Sequence, residues 1–205
     1  MSAELISMTP NYMWLLETAC KQPYGNDVNE KGIKAIIESG HLSVLEHCYA
    51  SFLVKCSVRV LGQLTRHRHL SFTVKSARGS TFDIVVIPDG MIAFAKQHGV
   101  SQETIDSMVD KNPMLHAYHD CIKDGLKEQD AAYFLPQGVE TSLVVTGNFR
   151  AWYEYLPKRL CRRAMPEHRK LAEDIHKLLA DAAPEIFDRC MLNCDSCKER
   201  SCEFK

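Results

Sequence analysis

The sequence predicts an α+β fold, read as one unit over residues 1–187 with a cysteine-rich tail over 188–205, and three observations carry that reading. Segments of strict apolar alternation stand beside segments of helical periodicity, so strands and helices are both expected. A chain of 205 residues, 45% apolar and 25% charged, is long enough to enclose a real core and has an ordinary globular composition. No repeat, low-complexity stretch or linker divides it.

Taken in order, Thr9-Pro10 reads as an N-cap and first helical position, opening a helix over 9–20. A second helix over 29–39 ends at Gly40, a fitting C-cap. Cys48, Ala50, Phe52, Val54 and Cys56 share one face of a half-buried strand. Residues 57–69 look helical, with Arg59, Gln63 and Arg66 on one face, and a hydroxyl-rich loop follows. Residues 81–87 read as a strand stopped by Pro88-Asp89-Gly90. Residues 101–130 are amphipathic and helical, broken near Asn112-Pro113, and Leu135-Pro136-Gln137-Gly138 is a turn. The β-branched run 139–147 is a strand, and 148–157 a short helix. A long helix begins near Pro166, carries Leu171, Ile175, Leu178 and Ala182 as its apolar stripe, and stops near Pro184.

Composition limits the function classes. No apolar run reaches the ~18–20 residues needed to cross a bilayer, and the opening MSAELISMTPNYMW lacks the basic-then-apolar pattern of a secretory signal. A cytoplasmic protein with no membrane partner is expected, its nine cysteines held reduced as core residues, nucleophiles or metal ligands. The net charge of −1 excludes a grossly basic nucleic-acid coater.

The charge is nevertheless segregated. Between His47 and Phe82 there is no Asp or Glu, while Lys55, Arg59, Arg66, Arg68, Lys75 and Arg78 all fall there. A second patch over 150–163 sets Arg150, Lys158, Arg159, Arg162 and Arg163 against the single Glu154. Arginine suits bidentate recognition of phosphate or carboxylate. The run Arg66-His67-Arg68-His69, followed by Ser71, Thr73, Ser76 and Ser80, has the makings of a phosphate cradle. Only Phe72 offers a nearby stacking surface, so a mononucleotide or dinucleotide fits better than a nucleic-acid polymer.

Arg66-His67-Arg68, seven residues, then Ser76, with Arg78 two beyond, resembles the signature of the flavin-dependent thymidylate synthases. The likeness extends to Gly40-His41-x-Ser43-x-Leu45-Glu46-His47, Gln63, Thr9-Pro10-Asn11, Leu135-Pro136, Asn148-x-Arg150, Arg159 and Glu167, and covers about residues 5–187. The resemblance implies that family's fold, a mixed sheet with flanking long helices, assembled as a homotetramer. It implies FAD held by Ser43, Glu46, His67, Arg68, Asn148 and Arg150, and a pyrimidine nucleotide held by Gln63, Arg66, Ser76 and Arg78. Arg159 would lie on the uracil ring as the catalytic residue, since a permanently charged guanidinium suits an enolate-like species. NADPH and methylenetetrahydrofolate would be co-substrates, and dUMP would be methylated to dTMP. Four positions depart from the family pattern: Val74, Gly79, Ala132, and Arg163 where a histidine is usual. They leave open another pyrimidine nucleotide, hydroxymethylation instead of methylation, or a non-catalytic nucleotide-binding module.

Histidines outside the motif read blandly: His69 as a packing or surface residue, His116 and His119 as a solvated helix face. Trp14 and Trp152 read as core or subunit-contact residues. In the tail, Cys190, Cys194, Cys197 and Cys202 are spaced to surround one metal, and either tetrahedral zinc or a [4Fe–4S] cluster satisfies the spacing.

Overall fold

The structure is a computed structural model that describes every residue apart from Asn193, Asp195, Ser196 and Lys205, with Tyr24 described by its backbone alone. Strand β1 (Ser2–Met8) and helices α1 (Tyr12–Tyr24) and α2 (Glu30–Glu38) lead through a 3₁₀ turn (Leu42–His47) into β2 (Tyr49–Ser57), α3 (Val58–Leu64) and β3 (Ser71–Val74). Helices α4 (Asp89–Gln97), α5 (Gln102–Asp110), α6 (Pro113–Lys123) and α7 (Glu128–Ala131) follow, and a second 3₁₀ turn (Ala132–Phe134) precedes β4 (Glu140–Asn148). Helices α8 (Phe149–Leu160), α9 (Pro166–Ala182) and α10 (Pro184–Phe187) complete the order before the tail.

The fold is α+β, with the strands hydrogen-bonded in the order β1-β2-β4-β3. Phe149 N donates to Cys48 O while Val58 N donates to Val139 O, so partner numbers fall along β4 as they rise along β2. The sheet is antiparallel, which corrects the mixed sheet implied by the resemblance. No parallel pair, and hence no crossover connection, is needed to build it.

The chain packs as two units made of interleaved segments, which no linker in the sequence marks. The first takes Met1–Ser2, Val54–Arg66 and Thr73–Leu143. Its core is Phe82, Val85, Leu115, Tyr118, Ala131 and Val139, flanked by Val58, Ala77, Cys121 and Leu135. Ser57 Oγ caps α3 by accepting from Val60 N at 3.1 Å. Asn112 Oδ1 accepts from Met114 N and Leu115 N at 3.1 Å, with Pro113 following, so the break in the long helical stretch is a true helix start. Residues 81–87 form no strand, only the isolated antiparallel bridge Val85–Val139. Phe82 and Val85 both enter the core three residues apart, a spacing incompatible with a continuous two-residue pleat. Helix α3 also ends at Leu64, short of the expected 69, so Arg66 lies beyond the face of Arg59 and Gln63. Extending it would stack Arg66, His67, Arg68 and His69 in one helical turn.

The second unit takes Ala3–Leu53, His67–Phe72 and Val144–Lys205. Its core is aromatic and aliphatic: Leu16, Ile33, Leu45, Phe52, Phe149, Trp152, Leu171 and Phe187 are buried. Trp152 meets Phe52 edge-on at 5.0 Å and Tyr155 at 5.5 Å, and its Nε1 donates to Ala50 O at 3.0 Å. Trp14, by contrast, is 67% exposed, so a core role is excluded for it. Helix α1 starts at Tyr12, three residues later than Thr9-Pro10 suggested, because Thr9 serves the sheet: its Oγ1 accepts from Tyr49 N at 2.8 Å and its N donates to Tyr49 O at 3.0 Å. Asn11, at φ 50, makes the turn between strand and helix.

Candidate active site

In the second unit, the junction of β4 and α8 builds a polar cavity of about 340 Å³. Asn148 ends the strand and caps the helix, its Oδ1 accepting from Ala151 N at 2.8 Å. That cap fixes Arg150 on the first helical turn and Glu154 one turn later on the same face. Arg150 Nε donates to Glu154 Oε1 at 2.9 Å, and its Nη1 donates to Glu46 Oε1. Glu46 comes from the 3₁₀ turn, which packs on α8 through buried Val44 and Leu45. Hydrogen bonds from Glu154 and Glu46 reinforce the positive charge of Arg150. His69 and Ala151 complete the lining. Two carboxylates face one guanidinium and one imidazole, a donor–acceptor set suited to hydroxyls and polar ring edges, whereas a phosphate would face both carboxylates.

At the other end of α8, Arg159 Nε donates to His67 Nε2 at 2.8 Å. That bond requires an unprotonated Nε2, and burial, reinforced by Arg159 and Lys158, pushes the His67 pKa down to about 4. The His67 ring packs edge-on against Tyr155 at 4.8 Å. Tyr155 Oη bonds His168 Nε2 at 3.1 Å, and His168 is wholly buried in the first turn of α9. Burial, then Arg159 and His67, push the His168 pKa down to about 3. Two neutral imidazoles and a phenol therefore support one permanent cation.

The residues singled out in the sequence fall into groups. Glu46, Asn148 and Arg150 meet in the cavity, and His67 and Arg159 meet in the hydrogen-bonded pair. Ser43 is exposed on the 3₁₀ turn, and Arg68 is exposed in the turn after α3. In the first unit, Gln63 is half-buried on the last turn of α3, and Arg66 N donates back to Gln63 O at 3.3 Å. Ser76 and Arg78 are exposed in one turn, where Ser76 Oγ accepts from Arg78 N at 3.2 Å. Sequence reasoning missed three residues: Glu154, His69 and His168. The Arg150/Glu154 spacing of four on a helix was a readable pairing signal. His69 had no signal beyond its adjacency to the motif, and it lines the cavity where a packing or surface role was expected. His168 gave none, because a lone histidine on a helix does not announce burial.

The tail cysteines do not form the expected metal set. Among the described residues, no three His, Cys, Asp or Glu side chains gather where they would hold one ion. Cys190 Sγ turns toward Leu192 O at 3.5 Å, while Cys194 and Cys197 line a different, apolar cleft. Arg163, standing where a histidine is usual, ion-pairs with Glu199 of the tail at 3.0 Å.

Comparison with known proteins gives one consistent match. The family model for thymidylate synthase complementing protein matches residues 4–185. A flavin-dependent thymidylate synthase of Geobacter sulfurreducens is 34% identical over 74% of this chain, which spans 65% of that relative's length. One of Mycobacteroides abscessus is 34% identical over 78% of this chain and 68% of its own length. One of Nitratidesulfovibrio vulgaris is 32% identical over 94% of this chain and 87% of its own.

Proposed function

Because this chain belongs to the thymidylate synthase complementing protein family, we propose that it is a flavin-dependent enzyme methylating dUMP to dTMP, with methylenetetrahydrofolate as carbon donor and NADPH as reductant. The observation that carries this reading is the Arg159–His67 bond at 2.8 Å, which holds a permanent cation in a half-buried setting beside two imidazoles kept neutral.

The donor set of the cavity fits a flavin: hydroxyls and ring edges find Glu46, Asn148 and Arg150, and Ser43, His67 and Arg68 stand as the remaining contacts for FAD. When bound, FAD supplies the hydride that completes the methyl group. Gln63, Arg66, Ser76 and Arg78 hold the pyrimidine nucleotide. The protein's own chemical task is electrostatic. Uracil C5 is a poor nucleophile until negative charge on the ring is stabilised, and Arg159 supplies that stabilisation without any proton transfer. His67, neutral and accepting at Nε2, keeps the guanidinium from rotating away. No thiol is required for this chemistry.

Assembly as a homotetramer is part of the same proposal. Trp14, Met91, Phe94 and Tyr133 remain strongly exposed on the single chain, as residues awaiting a subunit contact do. Among the described residues, no helix is long and apolar enough to cross a membrane.

The test is a turnover assay of the FAD-loaded protein with NADPH and methylenetetrahydrofolate, offered dUMP, dCMP or UMP. dTMP formed from dUMP alone is expected, with the oxidised-flavin spectrum bleached by NADPH. An Arg159→Ala variant is expected to keep its flavin and lose turnover by about 10²–10³-fold, the usual scale for one lost electrostatic stabiliser. Protein that takes up no FAD, or a variant with undiminished turnover, overturns the assignment.

A further inference from the structure

We propose that Cys194 and Cys197 are a redox-modifiable dithiol that closes to an intrachain disulfide by exchange with a low-molecular-weight disulfide. The pair is left over by the proposed reaction, which uses no thiol, and by the metal reading, which the geometry does not support. Cys197 N donates to Cys194 O at 3.2 Å. A bond from residue i+3 to residue i makes a turn, which holds the two Cα atoms within about 7 Å. A disulfide spans Cα separations of about 4.4–6.8 Å. The backbone thus already presents the two residues at bridging range.

Access and placement agree with this. Both residues are exposed, whereas Cys20, Cys48 and Cys56 are buried, and burial pushes the Cys48 thiol up to about 11. A buried, protonated thiol of that kind is a poor partner for exchange. Cys194 and Cys197 line one apolar cleft of about 580 Å³, together with Leu42, Tyr153, Pro157 and the half-buried Cys161. The chain just beyond the pair is fastened: Glu199 accepts from Ser201 Oγ at 2.7 Å and from Ser201 N at 3.1 Å, and pairs with Arg163 at 3.0 Å. This anchor depends on charge and hydroxyl groups, so it persists whether the sulfurs are bonded or not.

The exchange balances in two steps. One thiolate attacks the small disulfide, forming a protein–small-thiol mixed disulfide and releasing one thiolate. The second cysteine then attacks the protein sulfur of that bond, forming Cys194–Cys197 and releasing the second thiolate. The protein loses two electrons and two protons, and the small disulfide is reduced to two thiols. Cys161 lies outside the turn and takes no part, although it shares the cleft.

The test uses the full-length protein, freed of reductant, incubated with oxidised glutathione and mapped by peptide mass spectrometry without reduction. The expected product is an internal bridge in the peptide holding both cysteines, with no glutathione retained. Cys194→Ser and Cys197→Ser are each expected to trap a glutathione adduct on the remaining cysteine, and Cys161→Ser to leave the bridge unchanged. Bridges from either residue to Cys161, Cys190 or Cys202 overturn the proposal. So does a stable adduct on the wild type, and so does full retention of thiols, including retention because bound zinc protects them.

Discussion

At the scale of single residues, the Arg159–His67 pair makes a prediction about acid. Folding holds both His67 and His168 below the ordinary histidine value of 6.5, at about 4 and about 3. Once pH falls under 6.5 the unfolded chain binds more protons than the folded one, so stability is intact above that value and is lost as pH falls toward 4 and 3. The melting temperature is expected to decline between pH 7 and 4. His168→Phe should flatten that decline by up to one proton, about 1.4 kcal/mol per pH unit, while costing about 1 kcal/mol at neutral pH for the lost bond to Tyr155. An unchanged acid slope in thermal melts of the variant would show that His168 does not titrate with folding. The arginines, Glu46 and the Ser76 turn were legible in the sequence because their types and spacing carry chemistry. His168 was not, because its burial depends on where α9 packs, and no local pattern states that.

At the scale of elements, the helices were read best where a cap or a proline marks the start. Asn112-Pro113 and Pro166 both open helices where expected. The β1 and β3 strands were not read at all. β3 is four residues long and its exposed positions are Ser71 and Thr73, so hydroxyls that face solvent from a strand looked like loop hydroxyls. The Thr9 error has the same origin: one side chain was available to two elements, and a long-range bond to Tyr49 decided between them. Two substitutions probe element junctions. Asn148→Ala removes the α8 cap and should cost about 1 kcal/mol in denaturant titration. Because Arg150 sits on the turn that the cap sets, flavin affinity should fall as well, and a variant with normal affinity would separate cap from site. At Gly138 an added Cβ would meet Val86 O at 2.7 Å, and Val86 N also donates to Gly138 O at 2.7 Å. A backbone oxygen has no rotamer to escape into, so Gly138→Ala should destabilise by about 1–3 kcal/mol, measured by the same titration.

At the scale of the whole molecule, the net charge of −1 says little, since the cations that matter are confined to two acid-poor stretches. Assembly is the property that belongs to this scale. Light scattering on purified protein should give a mass of about four chains, in keeping with the symmetric closed assemblies usual for soluble oligomers, and Tyr133→Glu, at a residue 91% exposed, should lower it if that face is a contact. A monomeric wild type at micromolar concentration would contradict the tetramer.

The interleaving of the two units has a consequence for inheritance. The first unit draws on residues before Ala3 and the second resumes after Leu143, so any junction between residues 54 and 143 divides both at once. A gene fusion, a recombination breakpoint or a nonsense codon in that interval leaves neither unit whole. The two halves of this protein are therefore not modules that can be shuffled separately, and they must be acquired, and lost, together.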